Sequence, residues 1–508
     1  MEFQKIKLHR SEKNRAAVTQ ITLDDDYNVP DYRQDIVKVI KERGELRFDE
    51  VKAMEGAAWI KGSLVFKVLY RSDKQEGKIS CLRGEIPFQE RLNMDGLSEY
   101  DAVHATGDME DLTIGVINSR KLNVRAVIVL TASSEKEVDE ELTCELSDGS
   151  SYEQNIVEKE ALKLLVVRRD ICRQKSEAVL PSSKPNIREI LWQSMQLRNV
   201  ESRLVEGKIR LSGEILVSIL YNDEEEGEHL SWYETTVPLD AQAECGVMED
   251  DCIWQVQMVP LTMELEVKPD YDGEERILVM ELALDTHIRI WKEEKIRLLT
   301  DLYSLQKEVK PVFRECPLER LLVKNAAKCR MTEQMELKED KEKVLQICSC
   351  EGKVLLERQE IKPDGVLAEG TVEVNILYIT PDDHMPVGAV QEIYPFSQLV
   401  EIPEMSAQAK VELDASLEQL SAVMLDQEHV EIRAAVRLDL IAFVQEVIQN
   451  IEEATESEPD LEMLRNRPGL VGYIAKAGDD LWTIAKENHT TIPVSYTHLR
   501  AHETRRHL

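Results

Sequence analysis

No stretch of about eighteen apolar residues occurs in this 508-residue chain, so no part of it is expected to cross a bilayer as a helix. Its first residues, MEFQKIKLHRSEKNRAAVTQITLDDD, lack the apolar core and small-residue cleavage site of an export signal, which points to a cytoplasmic location. Positive charge is scarce: 63 Lys and Arg stand against 97 Asp and Glu, a formal net charge of −34. So acidic a surface repels phosphate backbones and anionic lipid, which excludes nucleic acid and membrane insertion as expected modes of action. A basic protein patch or a neutral polymer fits better. The nine cysteines are odd in number and unpatterned, so they read as reduced thiols rather than a disulfide framework. Cys348 and Cys350 form the one close pair. On a strand both would face one side, and no second pair completes a zinc site. The chain has no glycine-rich phosphate loop, no Gly-x-Ser-x-Gly elbow and no metal-spaced histidines. The acidic run from Asp223 to Glu228 lacks the alternating spacing of a calcium loop and reads as a solvated hairpin tip. The expectation is a protein with no catalytic residues, no cofactor and no metal.

What the chain does have is a repeat. GSLVFKVLY begins at Gly62, GEILVSILY at Gly213 and GTVEVNILY at Gly370, each running from a glycine to a Leu-Tyr pair. Pro87, Pro238 and Pro395 follow the three tyrosines at one fixed spacing, each between apolar neighbours. Arg125, Arg276 and Arg433 follow the prolines at a second fixed spacing, and Ile36, Ile187 and Val344 precede the glycines at a third. Four landmarks in three places describe a triplicated domain. We expect each arginine to pair with a carboxylate of its own repeat.

Within these segments alternate positions are apolar: Leu64, Phe66, Val68 and Tyr70, then Ile215, Val217, Ile219 and Tyr221, then Val372, Val374, Ile376 and Tyr378. Period two means a strand with one buried and one wet face. Tyr70, Tyr221 and Tyr378 are expected in the core with the hydroxyl at an edge. Polar loops after the tyrosines read as hairpin connections, and the prolines suit strand starts or bulges. The fold class is therefore mainly β: three tandem sandwich-like repeats at 30–135, 181–304 and 341–451. They are preceded by an amino-terminal segment (1–29) and separated by inter-repeat segments (136–180 and 305–340). NIVEKEALKLLVVRRD in the first of these could be strand or helix, and a short helix is possible in the second. A polar tether (452–470) follows.

The chain then reads YIAKAGDDLWTIAKENHTTIP, from Tyr473 to Pro493. An apolar strand at Tyr473 and Ile474, a turn at Gly478, a cap at Asp480 and a helix with Leu481, Ile484 and Ala485 on one face are the expected elements. This stretch resembles the first half of a LysM module, the small βααβ glycan-binding fold, over 471–493. Trp482 belongs either to its core or to its groove rim. The second half is missing. Val494–Leu508 holds three Arg and one Glu in an otherwise acidic chain, and HETRRH spaces its histidines five apart, off the zinc-protease helix pattern. We read 494–508 as a non-native tail.

Three β-rich repeats with a terminal LysM resemble the SPOCS-domain plus LysM proteins of spore-forming Clostridia, the SipL-like family of spore-coat morphogenesis proteins, over roughly residues 30 to 492. The resemblance implies a non-enzymatic protein of the mother-cell cytoplasm, at the forespore surface. It also implies a LysM that binds a protein, a coat morphogenetic ATPase of the SpoIVA kind, with further protein contacts through the repeats. Carried onto this sequence, the implied binding residues are Lys476, Ala477, Gly478, Asp479, Asp480, Leu481, Trp482, Thr490 and Thr491. The alternative is that the module binds peptidoglycan glycan at the cell wall.

Overall fold

Period-two alternation, interrupted by Gly, Asp and Asn at the turns, builds eighteen strands among the described residues. The computed structural model describes the chain except residues 73–77, 149–150, 225–228, 248, 250, 337–342, 404, 407–408, 460–472, 475–478 and 493–508. Repeat 1 consists of β1 (Phe3–Asn28), β2 (Lys38–Met54), β3 (Ala57–Arg71), β4 (Ile79–Asn93), β5 (Val103–Asn118) and β6 (Lys121–Leu146). Repeat 2 runs through β7 (Glu153–Val179), β8 (Ile187–Val205), β9 (Lys208–Asp223), β10 (Leu230–Glu244), β11 (Ile253–Pro269) and β12 (Glu275–Tyr303). Repeat 3 follows with β13 (Glu308–Glu336), β14 (Gln346–Lys362), β15 (Gly365–Ile379), β16 (Val387–Glu401), β17 (Lys410–Met424) and β18 (His429–Ser457).

Each repeat is two three-stranded antiparallel sheets packed face to face. The second, third and fourth strands form one sheet, and the sixth strand sits between the first and fifth in the other. In repeat 1, Leu64, Phe66, Val68 and Tyr70 of β3 pack against Leu122, Val124, Ala126 and Ile128 of β6. The stretches at 1–29, 136–180 and 305–340 supply strands. β1 pairs with β6 along its whole length, and β7 and β13 do the same with β12 and β18. The helix considered for 305–340 is therefore strand. NIVEKEALKLLVVRRD does not alternate because both its faces are covered: Ala161 enters one apolar cluster and its neighbour Leu162 another.

The outer face of the central strands is also dry, contrary to the sequence expectation, because the repeats converge there. Leu69, Leu220 and Leu377 meet at one centre with Ile79, Leu230 and Val387. Ile40, Leu191 and Cys348 join them, each the extra residue of a β-bulge in β2, β8 or β14. A bulge re-aims a side chain, and here it delivers one apolar group per repeat to the shared centre. The same bulge sends Cys350 into the core of repeat 3, so Cys348 and Cys350 face opposite ways. Burial pushes both thiols up to about 12. Beside this cluster Glu351 is buried. It accepts Lys41 Nζ at 2.9 Å, Trp192 Nε1 at 3.0 Å and Arg43 Nη1 at 3.2 Å, so that one carboxylate joins all three repeats. Burial opposes its charge, but Lys41 and Arg43 outweigh that and hold its pKa below the usual range.

A second junction lies where the long strands end. Leu8 and Leu142, Ile296 and Leu298, and Cys316 and Leu318 bring the three repeats together again. There the buried Asn450 amide accepts from Thr143 N at 2.8 Å and donates to Thr143 O at 2.8 Å and Leu299 O at 3.1 Å.

The repeated landmarks now have physical reasons. Gly62, Gly213 and Gly370 each oppose a bulge, and a Cβ would meet the carbonyl of Arg47 at 2.5 Å, of Arg198 at 2.9 Å, and of Leu355 closer still. Pro87, Pro238 and Pro395 sit within the edge strands β4, β10 and β16, away from strand starts, where the missing amide faces no partner strand. Tyr70 and Tyr221 are core residues whose hydroxyls donate to Gln34 O and Pro185 O, each at 3.1 Å. The arginines are not equivalent. Arg276 donates to the carbonyls of Pro181 and Lys184, as Arg120 does to those of Pro30 and Arg33, so the counterpart of Arg276 is Arg120. Arg433 pairs with Glu431 of its own repeat, and Arg276 reaches Glu274 only at 3.9 Å.

Candidate functional site

Of the carboxyl-terminal binding residues, Lys476, Ala477 and Gly478 lie outside the described residues. Asp480 caps α1 (Leu481–Glu487), accepting from Trp482 N at 2.9 Å and Thr483 N at 3.1 Å. The hydrogen bond from the Thr483 hydroxyl, and after it these two amide bonds, lower its pKa. Asp479 accepts the Tyr473 hydroxyl at 2.8 Å. Tyr473 and Ile474 are not in a strand, and Ile474 is 86% exposed. A lone strand has no ladder to join at this point in the described chain. Trp482, Ile484 and Ala485 are buried, whereas Leu481, Thr490 and Thr491 are half-buried.

The buried face of α1 rests on the end of β12. The Trp482 ring meets Tyr303 edge-on at 5.0 Å, and its Nε1 donates to Asp301 at 2.7 Å. Lys486 reaches the same carboxylate at 2.7 Å, and the Tyr303 hydroxyl donates to Thr490 O at 2.7 Å. Trp482 is thus held against repeat 2. Asp479 and Asp480 remain exposed.

The second site was not anticipated from the sequence. A cavity of about 1280 Å³ lies where repeat 2 meets its neighbours and is lined by residues of all three repeats. Its position follows from a difference between the repeats. In repeat 1, β5 lies against β2, and in repeat 3, β17 lies against β14; in repeat 2, β11 meets β8 over a much shorter stretch. Gly44 and Gly352 allow the close approach. A Cβ on Gly44 would meet Met109 Cε at 2.5 Å, and one on Gly352 would meet Leu420 Cδ2 at 2.6 Å. The corresponding residue of β8 is Met195, whose buried side chain fills that space. The next bulge repeats the contrast. Phe48 and Leu356 pack on their cores, whereas Asn199 takes a φ of 50° and lines the cavity. These substitutions were the available signal: Gly44, Met195 and Gly352 stand at one fixed distance before the repeat glycines, and Phe48, Asn199 and Leu356 at another.

The walls are polar. Seven carboxylates line the cavity against four Arg or Lys side chains. His287 Nε2 lies 3.0 Å from Glu135 Oε2. Burial would raise the Glu135 pKa, but hydrogen bonds from His287 and Ser11 and the charges of His287 and Arg289 bring it down to about 2. His104 is pushed down to about 4, by burial first and then by the Arg169 charge. Elsewhere Glu249, Asp251 and Cys252 come within 4.8 Å of one another, but Lys292 already pairs with both carboxylates.

Fold and junction together define a class: a tandem β-sandwich repeat protein whose distinctive surfaces lie between repeats. The family model "SipL, SPOCS domain" matches the chain three times, at residues 35–117, 186–268 and 343–425. Each match spans the second to fifth strands of a repeat; the long first and last strands lie outside it. No curated protein matches the sequence. Among solved structures, the ferric yersiniabactin uptake receptor FyuA from Yersinia pestis is similar at 9% identity over 87% of this chain and 79% of that one. Its TM-score is 0.10, and at that value the likeness carries no structural argument. Among the described residues no helix is long and apolar enough to cross a membrane.

Proposed function

We propose that the chain is a non-enzymatic protein of spore-coat assembly, acting in the mother-cell cytoplasm at the forespore surface. In this reading the carboxyl-terminal LysM-like part docks a coat morphogenetic ATPase of the SpoIVA kind, and the repeats make further protein contacts. The supporting observation is the threefold match to the SPOCS domain, a domain of spore-coat-related proteins, within a body whose three repeats share two buried junctions. Interlocked repeats of this sort suit a rigid scaffold that carries binding surfaces. Asp479 and Asp480, exposed beside α1, are the described candidate residues open to a partner; Trp482 is engaged by Tyr303.

The test is co-purification of the full chain with the ATPase, in parallel with sedimentation on insoluble peptidoglycan. Retention by the ATPase, weakened by Asp479→Lys, supports the proposal. Sedimentation with peptidoglycan and no retention by the ATPase replaces it with a wall-binding function.

A further inference from the structure

We propose that the open edge of repeat 2 takes an extended segment of a partner protein, added as a strand beside β8 and β11 and carrying basic side chains. This concerns the repeats and is independent of docking through α1.

The edge that repeat 2 leaves unsealed carries the argument. A strand seen from one face contributes every second residue to a cavity wall. Here β11 contributes Trp254 to Val259, six residues in succession, and β8 contributes Asn199 to Ser202. Ser133 to Glu135 of the central strand β6 and Asp439 to Ile441 of the central strand β18 are also consecutive, so what sets β8 and β11 apart is that each is paired on one side only, at the place where the matching strands of repeats 1 and 3 lie against each other. Both strands are the outer members of their sheets, β11 beside β12 and β8 beside β9. At 3.3 Å per residue, the β11 stretch offers roughly 20 Å of edge. An added strand is the natural occupant of such an edge, because its main chain satisfies groups that a compact ligand would leave unpaired.

The gap is bridged by side chains in place of a backbone ladder. Trp254 Nε1 donates to Ser202 Oγ at 3.3 Å across to β8, and Gln257 Nε2 donates to Asp414 at 3.2 Å across to β17. These bridges can exchange for main-chain bonds to an incoming strand. At about 1280 Å³ the space exceeds the roughly 300–1000 Å³ of ordinary small-molecule sites. The charge of the walls selects the side chains. Of the seven carboxylates, Asp285, Glu418 and Asp439 already pair with Arg169, Lys328 and Arg437, whereas Glu137, Asp414 and Glu201, the last beside Arg203 at 3.2 Å, are exposed at the sides of the cavity. A segment with Lys or Arg at alternate positions complements them.

The probe is a fluorescein-labelled octapeptide of alternating Lys and Thr, titrated with the full chain and read by anisotropy. A Glu-Thr octapeptide and a Lys-Thr octapeptide N-methylated at alternate residues are compared with it. The exposed pair of changes Glu201→Lys and Asp414→Lys is compared with Glu55→Lys and Glu99→Lys, which alter net charge equally at exposed positions elsewhere. The proposal expects the Lys-Thr peptide to bind and the Glu-Thr peptide not to bind. It expects a loss of about tenfold or more on N-methylation and on Glu201→Lys with Asp414→Lys, with the control pair within about twofold. Absence of binding, or equal weakening by both pairs of changes, overturns it. Indifference to N-methylation also overturns it, since charge alone would then hold the peptide.

Discussion

Repeats 1 and 3 close an edge that repeat 2 leaves apart, although all three are built from the same six strands. The difference turns on few residues. Gly44 and Gly352 let the facing strand approach, and Met195 stands where they do. Phe48 and Leu356 fill a bulge toward the core; in the equivalent bulge of repeat 2 Val200 packs on the core and Asn199 turns to the cavity. The comparison shows how a triplicated fold acquires a single asymmetric site: the shared scaffold stays intact, and one copy loses the contacts that seal its edge.

The scaffold common to all three copies gives the largest expected effect. Lys41→Met leaves Glu351 buried without its nearest cation and should cost about 3–5 kcal/mol in denaturant titration. Lys41→Met together with Glu351→Leu should recover only part of that, because the buried Trp192 Nε1 and Arg43 then lose their shared acceptor. Leu377→Ala, at the centre where the repeats meet, should cost about 2–5 kcal/mol. It should lower a single calorimetric transition; separate melting of one repeat would show that the junctions do not couple the copies.

The edges themselves give a sharper contrast. Gly44→Met places in repeat 1 the side chain that repeat 2 carries. It should force β5 from β2 at a cost of about 1–3 kcal/mol, with new protease sensitivity near Met109. Met195→Gly should not destabilise by that route, because β11 already meets β8 over only a short stretch. The smallest effect concerns pH. The His104 pKa is depressed to about 4 in the fold from an ordinary 6.5, so unfolding takes up a proton between those values. Stability is therefore fully present above pH 6.5 and declines as pH falls toward 4. His104→Gln should flatten that part of the profile, as read by thermal melts at stepped pH.

The repeats were legible because their signals are local. The glycine opposite each bulge, the alternating Leu-Tyr strand and the edge proline all report constraints within one hairpin. The long strands were harder to see. Ala161 and Leu162 are buried on opposite faces by different repeats, which erases the alternation that marks a strand. A wet outer face was expected on β3, β9 and β15 for the same reason: the groups that dry Leu69, Leu220 and Leu377 come from other copies. The arginine landmark failed differently. Its fixed spacing crosses hairpins of unequal length, and the hydrogen bonds equate Arg276 with Arg120. Of the carboxyl-terminal residues, the Asp480 cap was readable from sequence. The burial of Trp482 was not, since it depends on Tyr303, 179 positions earlier in the chain.

Hydrogen–deuterium exchange on the full chain, with and without the Lys-Thr octapeptide, tests the open edge most directly. Added peptide should slow exchange of amides in 199–202 and 254–259 while leaving β2 and β5 of repeat 1 unchanged. Unaltered exchange at both stretches under saturating peptide, or protection confined to another face, would contradict a strand-accepting slot in repeat 2.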